Sequence, residues 1–401
     1  MNKRAMTVTL AVVGLAAAAC GSGSSGGSTP SSGSTTTTIV ITPTSFDRSF
    51  SAMAKLASLA SAGKGSVGVI LPDTTSSARY TEFDAPYLQK AFTQAGLSPS
   101  QISIKNAQGS DSTFITDAQA MVTNGASVLL IDPENAGTGK QVEQYASQHG
   151  VKVIDYDRIT AGSYYISFDN VQVGKLIGQG FAACASKWGV SSPQIIKMVG
   201  DPTDNNATLF AQGYDSVISA NPSWKVVASP KGTWDPPTAL TEFEQAYTAQ
   251  PNANSAIIPN DENNAPILKY LANHGIKPHT FPTTGQDATS VGLQNILAGY
   301  QCGTVYKPIY LEAQAAAAVA MFLRAGQSPP SALINGQTAN PNAGGQKMPS
   351  VLLTPEWVTS TNMDNTVVKD GFVPFSVLCT NAKALNGSSN LQNCKAAGIN
   401  G

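Results

Sequence analysis

Polar side chains recur at one kind of place in this 401-residue sequence, immediately after short apolar runs. Asp73 follows VILP, Asp155 to Arg158 follow KVI, Asn260 and Asp261 follow AIIP, Asp287 follows TTGQ, and Lys307 follows TVY. A single Asp or Asn in such a position is an ordinary helix cap. Their recurrence points to a ligand site beyond the carboxyl ends of strands. Carboxylates, amides, guanidinium and ammonium groups are the partners that neutral hydroxyls need. Only 12% of residues are charged, 24 basic against 25 acidic, which disfavours a phosphate-tracking surface and suits an uncharged ligand such as a sugar.

Catalysis finds less material. From Gly65 onward there is no G-x-S-x-G elbow and no Gly-rich phosphate loop, and the whole chain has three histidines and no Cys-x-x-Cys, so nucleophilic, phosphoryl-transfer and zinc chemistry lack their usual parts. Asp157 and Asp287 could be assembled into a glycosidase-like acid pair. Beside Arg158 and Lys307, however, such carboxylates stay ionised and make poor general acids.

The elements that must position these residues are legible from Gly65 onward. Apolar runs alternate with amphipathic stretches of helical length, the pattern of parallel sheets wrapped by crossover helices. SVGVILP, QISIKNA, SVLLIDP, VKVIDYD and YISFDN read as one set of strands, and QIIKMVG, WKVVASP, SAIIPND, TFPTTGQD and GTVYKP as a second. Tyr80 to Ala95, Phe114 to Asn124 and Gly139 to His149 read as helices, each closed by a glycine. Two α/β lobes are expected.

The amino terminus reads as an address. Lys3 and Arg4 precede a short apolar stretch, Ala5 to Ala19, that ends in small residues before Cys20, as in a secretory signal. Cys20 at the +1 position resembles a lipoprotein signal and would carry the lipid, although Ala17 stands where Leu is usual. Residues 1–19 are thus expected to be a signal peptide and 20–45 a flexible Gly/Ser/Thr tether. Residues 46–64 read as an added amphipathic helix on a lobe surface. Export permits disulfides. Cys184, Cys302, Cys379 and Cys394 allow three pairings; the 15-residue spacing in a Gly/Asn/Ser-rich tail favours Cys379–Cys394, which leaves Cys184–Cys302.

From about Val67 to Phe372 the chain resembles the xylose-binding proteins, the substrate-recognition subunits of sugar ABC importers within the ribose/galactose-binding (type I) superfamily. The resemblance is densest in VKVIDYDRI with YISFDNVQVGKL, DPTDNNATLF, NDENNAPILKYLANHGI and TGQDATSVGLQNILAGYQCGTVYKPI, and VLLTP and VVKDGF share it. It implies a type I periplasmic binding protein fold, two doubly wound parallel-sheet lobes joined by a three-segment hinge. The crossings fall near Phe168 to Asn170, near Tyr306 to Pro308, and between about Ala343 and Val351. Residues 65–168 and 308–345 would form the amino-terminal lobe, 169–307 and 346–378 the carboxyl-terminal lobe, and 379–401 a tail.

The resemblance also implies hydroxyl partners at Asp157, Arg158, Asn205, Asn206, Asn260, Asp261, Asp287 and Lys307, with Arg79 reaching in from the amino-terminal lobe. Trp234 would cover a sugar face, assisted by Tyr80 or Tyr156. No catalytic residue, cofactor or metal is implied. The expected partners are a monosaccharide, xylose first, an ABC permease, and the membrane through the lipid on Cys20, with no nucleic acid and a monomeric chain. The same lobes could instead serve a sugar sensor for chemotaxis or signalling. A sugar-active enzyme ranks lower, and a related DNA-binding regulator lacks its helix-turn-helix here.

Overall fold

The computed structural model describes residues 39–400. In the amino-terminal lobe the first set of apolar runs forms β1 (Ser66–Leu71), β2 (Ile102–Asn106), β3 (Ala126–Ile131), β4 (Lys152–Tyr156) and β5 (Tyr164–Phe168). They lie in the order β5-β4-β3-β1-β2, all parallel. Val67, Val69, Leu130, Ile154 and Ile166 are buried, because helices cover both faces of a parallel sheet. The connecting helices, α2 (Ala85–Gln94), α3 (Asp111–Thr123) and α4 (Ala136–Gln148), follow a short α1 (Ala57–Ala62). Ser110 and Asn135 cap α3 and α4 by accepting the N–H groups of Thr113 and Thr138.

In the carboxyl-terminal lobe β6 (Gln194–Lys197) lies between β7 (Lys225–Ala228) and β8 (Ser255–Ile257), and β10 (Thr304–Tyr306) between β9 (Gly285–Gln286) and β13 (Glu356–Val358). The Ala256 N–H donates to the Pro282 carbonyl at 2.9 Å, so the chain leading into β9 runs beside β8 and joins the two groups. Around them pack α5 (Asn170–Lys187), α6 (Asn205–Ser219), α7 (Pro236–Ala249), α8 (Asp261–Asn273) and α9 (Ser290–Leu297).

Three segments cross between the lobes. The first leaves β5 at Phe168 and enters α5 at Asn170, and the second leaves β10 at Tyr306 and enters α10 (Ile309–Arg324). α10 returns to the amino-terminal sheet, where Ala313, Ala315 to Ala318 and Ala320 are fully buried. A helix apolar all round is a core helix. The third crossing is not where the sequence reading placed it. β11 (Gly336–Asn340) and β12 (Gln346–Leu353) form an antiparallel hairpin on the amino-terminal sheet, with Ser350 to Leu353 paired parallel to Tyr165 to Phe168. The chain therefore crosses between Leu353 and Glu356, and 346–353 belongs to the amino-terminal lobe.

Residues 46–64 form no single helix. A 3-10 stretch, Ser51–Leu56, runs into α1, and Met53, Leu56 and Leu59 are buried against α2 and α10. Arg324 fastens the segment by donating to the carbonyls of Ala60 and Gly65, both at 2.9 Å. In the tail, Phe375–Leu378 and Asn390–Ala396 pack on α9. Disulfides join Cys184 to Cys302 and Cys379 to Cys394. Cys20 and the signal and tether expected before residue 39 lie outside the described residues.

Candidate functional site

The strand ends of the two lobes face each other across a cavity lined by Ser76, Ser77, Arg79, Tyr80, Asp157, Arg158, Asp204, Asn206, Phe210, Trp234, Asn260, Gln286, Asp287 and Lys307. After β1, the Asp73 carboxylate accepts the backbone N–H groups of Thr75 and Ser76, both at 2.6 Å. That bends the loop so that Ser76, Ser77 and Arg79 meet the cavity. Arg79 is buried and gripped by carboxylates: Nε and Nη2 donate to Asp84 at 2.8 Å, Nη2 donates to Glu312 at 2.7 Å, and Nη1 lies 3.1 Å from Asp157.

After β4 the backbone turns at Asp157, whose φ of 60° is unusual for a residue with a side chain. The turn is held from three sides: the Asp157 carbonyl accepts Tyr165 Oη at 3.0 Å, Ser167 Oγ at 2.9 Å and Asn206 Nδ2 at 3.1 Å. Burial works to raise the Asp157 carboxyl, but Arg79, Lys307 and Arg158 outweigh it and hold it below the usual carboxylate range. An anion so held accepts hydrogen bonds and does not act as an acid.

Arg158 spans the lobes. It donates through Nη1 to Asp132, just after β3, at 2.8 Å and through Nε to Asp204, on the opposite lobe, at 2.9 Å. Asp204 is the hub of this wall. It caps α6 through the Asn206 N–H at 2.8 Å and accepts Trp234 Nε1 at 2.9 Å. The Trp234 ring lies directly over Gly200, where a Cβ would overlap it, and Phe210 supports it edge-on with centroids 6.4 Å apart. The opposite wall is Asp287, whose φ is 87°. Its carboxylate lies 2.9 Å from Lys307 Nζ and accepts Ser77 Oγ from the other lobe at 3.1 Å.

Nine of the residues singled out from sequence line this cavity: Arg79, Tyr80, Asp157, Arg158, Asn206, Trp234, Asn260, Asp287 and Lys307. Asn205, Asp261 and Tyr156 do not. Asn205 is the first residue of α6, and its amide donates to the Ile159 carbonyl at 3.0 Å. Asp261 points into its own lobe, where it accepts the Thr289 N–H at 3.0 Å, Gln301 Nε2 at 2.7 Å and Thr304 Oγ1 at 3.0 Å; burial pushes it up to about 7. The Tyr156 hydroxyl is spent on Asp84. Sequence reasoning missed Ser76, Ser77, Asp204, Phe210 and Gln286. Asp204 stood in the noted DPTDNNATLF segment, one residue before the asparagines picked from it.

Gln286 Oε1 is buried in the cavity with no partner in the protein. Asp157 Oδ1 and Arg79 Nη1 face each other at 3.1 Å, and Asp287 Oδ1 faces Lys307 Nζ at 2.9 Å. A buried polar atom left unmatched costs about 1–3 kcal/mol, and ion-paired carboxylates keep lone pairs for further donors, so the cavity suits a polar guest. Among the described residues no His, Cys, Asp and Glu cluster could hold a metal ion.

Comparison with known proteins agrees with this architecture. Residues 67–328 match the periplasmic binding protein domain, and the chain belongs to that family. It is 35% identical over 280 residues to the D-xylose-binding periplasmic protein of Escherichia coli K12, covering 68% of this chain and 81% of that one. It is 30% identical over 332 residues to the multiple sugar-binding periplasmic receptor ChvE of Rhizobium radiobacter, covering 78% and 91%. Among solved structures, an ABC transporter solute-binding protein from Clostridium phytofermentans with bound β-D-glucose shares the fold, with a TM-score of 0.69, 23% identity, and 78% and 99% of the two chains covered.

Proposed function

We propose that this protein captures a monosaccharide between its lobes, D-xylose first among the candidates, and presents it unchanged to an ABC importer. The observation that carries this reading is the cavity itself: a space between two lobes lined by buried, ion-paired carboxylates, an unpartnered Gln286 amide oxygen and one tryptophan face. Its polar lining and aromatic wall suit one pyranose ring. The ring's hydroxyls would match Asp157, Asp287, Gln286, Arg79, Asn206, Asn260, Arg158 and Lys307, and its C–H face would lie on Trp234. Identity to the xylose-binding relative makes that pentose the first choice.

Export and anchoring through a lipid on Cys20 complete the proposal. No described helix is long and apolar enough to cross a membrane. A second output, sensing, is favoured by the 30% identity to a sugar-binding receptor, and deletion of the partner permease separates the two: transport loses uptake, sensing does not. Native mass spectrometry of the chain with D-xylose tests capture without chemistry. One intact sugar per chain is expected, and a hydrolysed or altered sugar would contradict it. The mass of the mature membrane-extracted protein should show a diacylglyceryl adduct on Cys20, and an unmodified mass would remove the anchor.

A further inference from the structure

We infer that closing the two lobes draws one proton from solution onto Glu262, so that ligand capture is proton-linked. The inference rests on the capture by lobe closure proposed above. Glu262 is the second residue of α8, and its Oε1 accepts the backbone N–H of Ala78, from the other lobe, at 3.2 Å. Asn260 Nδ2 donates to the Ser76 carbonyl at 3.0 Å, and Ser77 Oγ donates to Asp287 at 3.1 Å. Residues 76 to 78 are thus the cover laid over this part of the carboxyl-terminal lobe. Beneath it Glu262 Oε2 is buried with no partner.

The charges around Glu262 do not compensate it. From its own helix Asp261 faces it, and from the turn after β9 Asp287 does; the other lobe contributes only the Ala78 N–H. The neighbouring ammonium of Lys307 is engaged by Asp287. Arg79 is held by Asp84, Asp157 and Glu312, and Arg158 by Asp132 and Asp204. Burial first, then Asp287 and Asp261, push Glu262 well above the usual carboxylate range. Its place in the first turn of α8 favours the anion only weakly.

Opening the lobes lifts residues 76 to 78 away and returns Glu262 to water, where glutamate titrates near ~4.3. Most of the other raised acids keep partners inside their own lobes: Asp261 has Thr289, Gln301 and Thr304, Asp155 has Thr160 and Gly162, Asp132 has Arg158, and Glu312 has Arg79. Glu134, raised to about 7 by burial and by Asp73 of its own lobe, is half-buried in the cleft beside Trp234 and makes no bond across it. Closure therefore changes the setting of Glu262 most. The sign follows: a group raised in the closed form favours closure fully at low pH, and the advantage fades as pH rises past its open-form value.

D-Xylose titrated calorimetrically at pH 7 in phosphate and in Tris, which differ in ionisation enthalpy, reads the proton directly. The wild type should take up protons on binding, with Kd rising as pH rises, by at most about tenfold per pH unit. Glu262→Gln keeps an oxygen for the Ala78 N–H and should take up none, with Kd flat in pH. Absence of uptake in the wild type, or unchanged uptake in E262Q, would overturn the inference. X-ray scattering of the ligand-free protein from pH 5 to 8 needs no sugar: the wild type should grow more compact as pH falls and E262Q should not. A pH-independent wild-type radius would overturn it. Compaction without any xylose heat would uphold the proton link and count against the sugar reading alone.

Discussion

Asp287 shows how a single residue carries the site. Its left-handed backbone aims the carboxylate between Lys307 and Ser77, a strain kept because its neighbours fix it. With its carboxylate lining the cavity wall, Asp287→Ala should weaken sugar binding by about 1–3 kcal/mol, roughly 5- to 150-fold, with little change in circular dichroism; unchanged affinity would remove it from the site. Trp234 depends on an absence. Because a Cβ at Gly200 would overlap its ring, Gly200→Ala should displace the indole, loosen its bond to Asp204 and raise the sugar off-rate, seen as altered tryptophan fluorescence and faster release. Identical fluorescence and kinetics would show the ring is not a wall of the site. The strand-end residues were legible because Asp, Arg and Lys after an apolar run are conspicuous. Ser76, Ser77 and Gln286 were not, since neutral residues in a loop carry no such mark.

At the scale of elements, the parallel strands could be read because Val, Ile and Leu runs bounded by polar turns leave few alternatives. The hairpin of β11 and β12 could not. GQTAN is polar and QKMPSVLL carries Pro349, as an edge hairpin tolerates. Its pairing with β5 joins residues nearly two hundred positions apart, which no local pattern announces. That is why the third crossing was placed too early. The 46–64 segment was legible as an amphipathic cover, but its first half winds as a 3-10 stretch. Nor did sequence show how closely α5 and α6 meet. Backbone of one faces glycine of the other, with Gly174 on Phe210 and Gly213 on Val171. α6 carries the capping Asp204 and Asn206 into the cavity, so the contact sets the position of that wall. Gly174→Ala should overpack it, costing about 1–3 kcal/mol and lowering the thermal midpoint by several degrees; an unshifted midpoint would mean the helices can separate freely.

For the whole molecule, the lobes meet through polar bonds, Arg158 to Asp204, Asn206 to Asp157, Ser77 to Asp287 and Glu262 to Ala78. Such a seam can be wetted and remade, as opening and closing require, and a ligand with groups bonded to both sides shifts the population toward the closed form. The central claim is that the cavity binds a monosaccharide, and calorimetric titration of sugar-stripped protein with aldopentoses and aldohexoses tests it most directly. One sugar should bind at one per chain with Kd in the micromolar range or tighter, about -8 kcal/mol or better, and should be recovered unchanged. Binding of none of the panel, or consumption of the sugar that binds, would contradict the account.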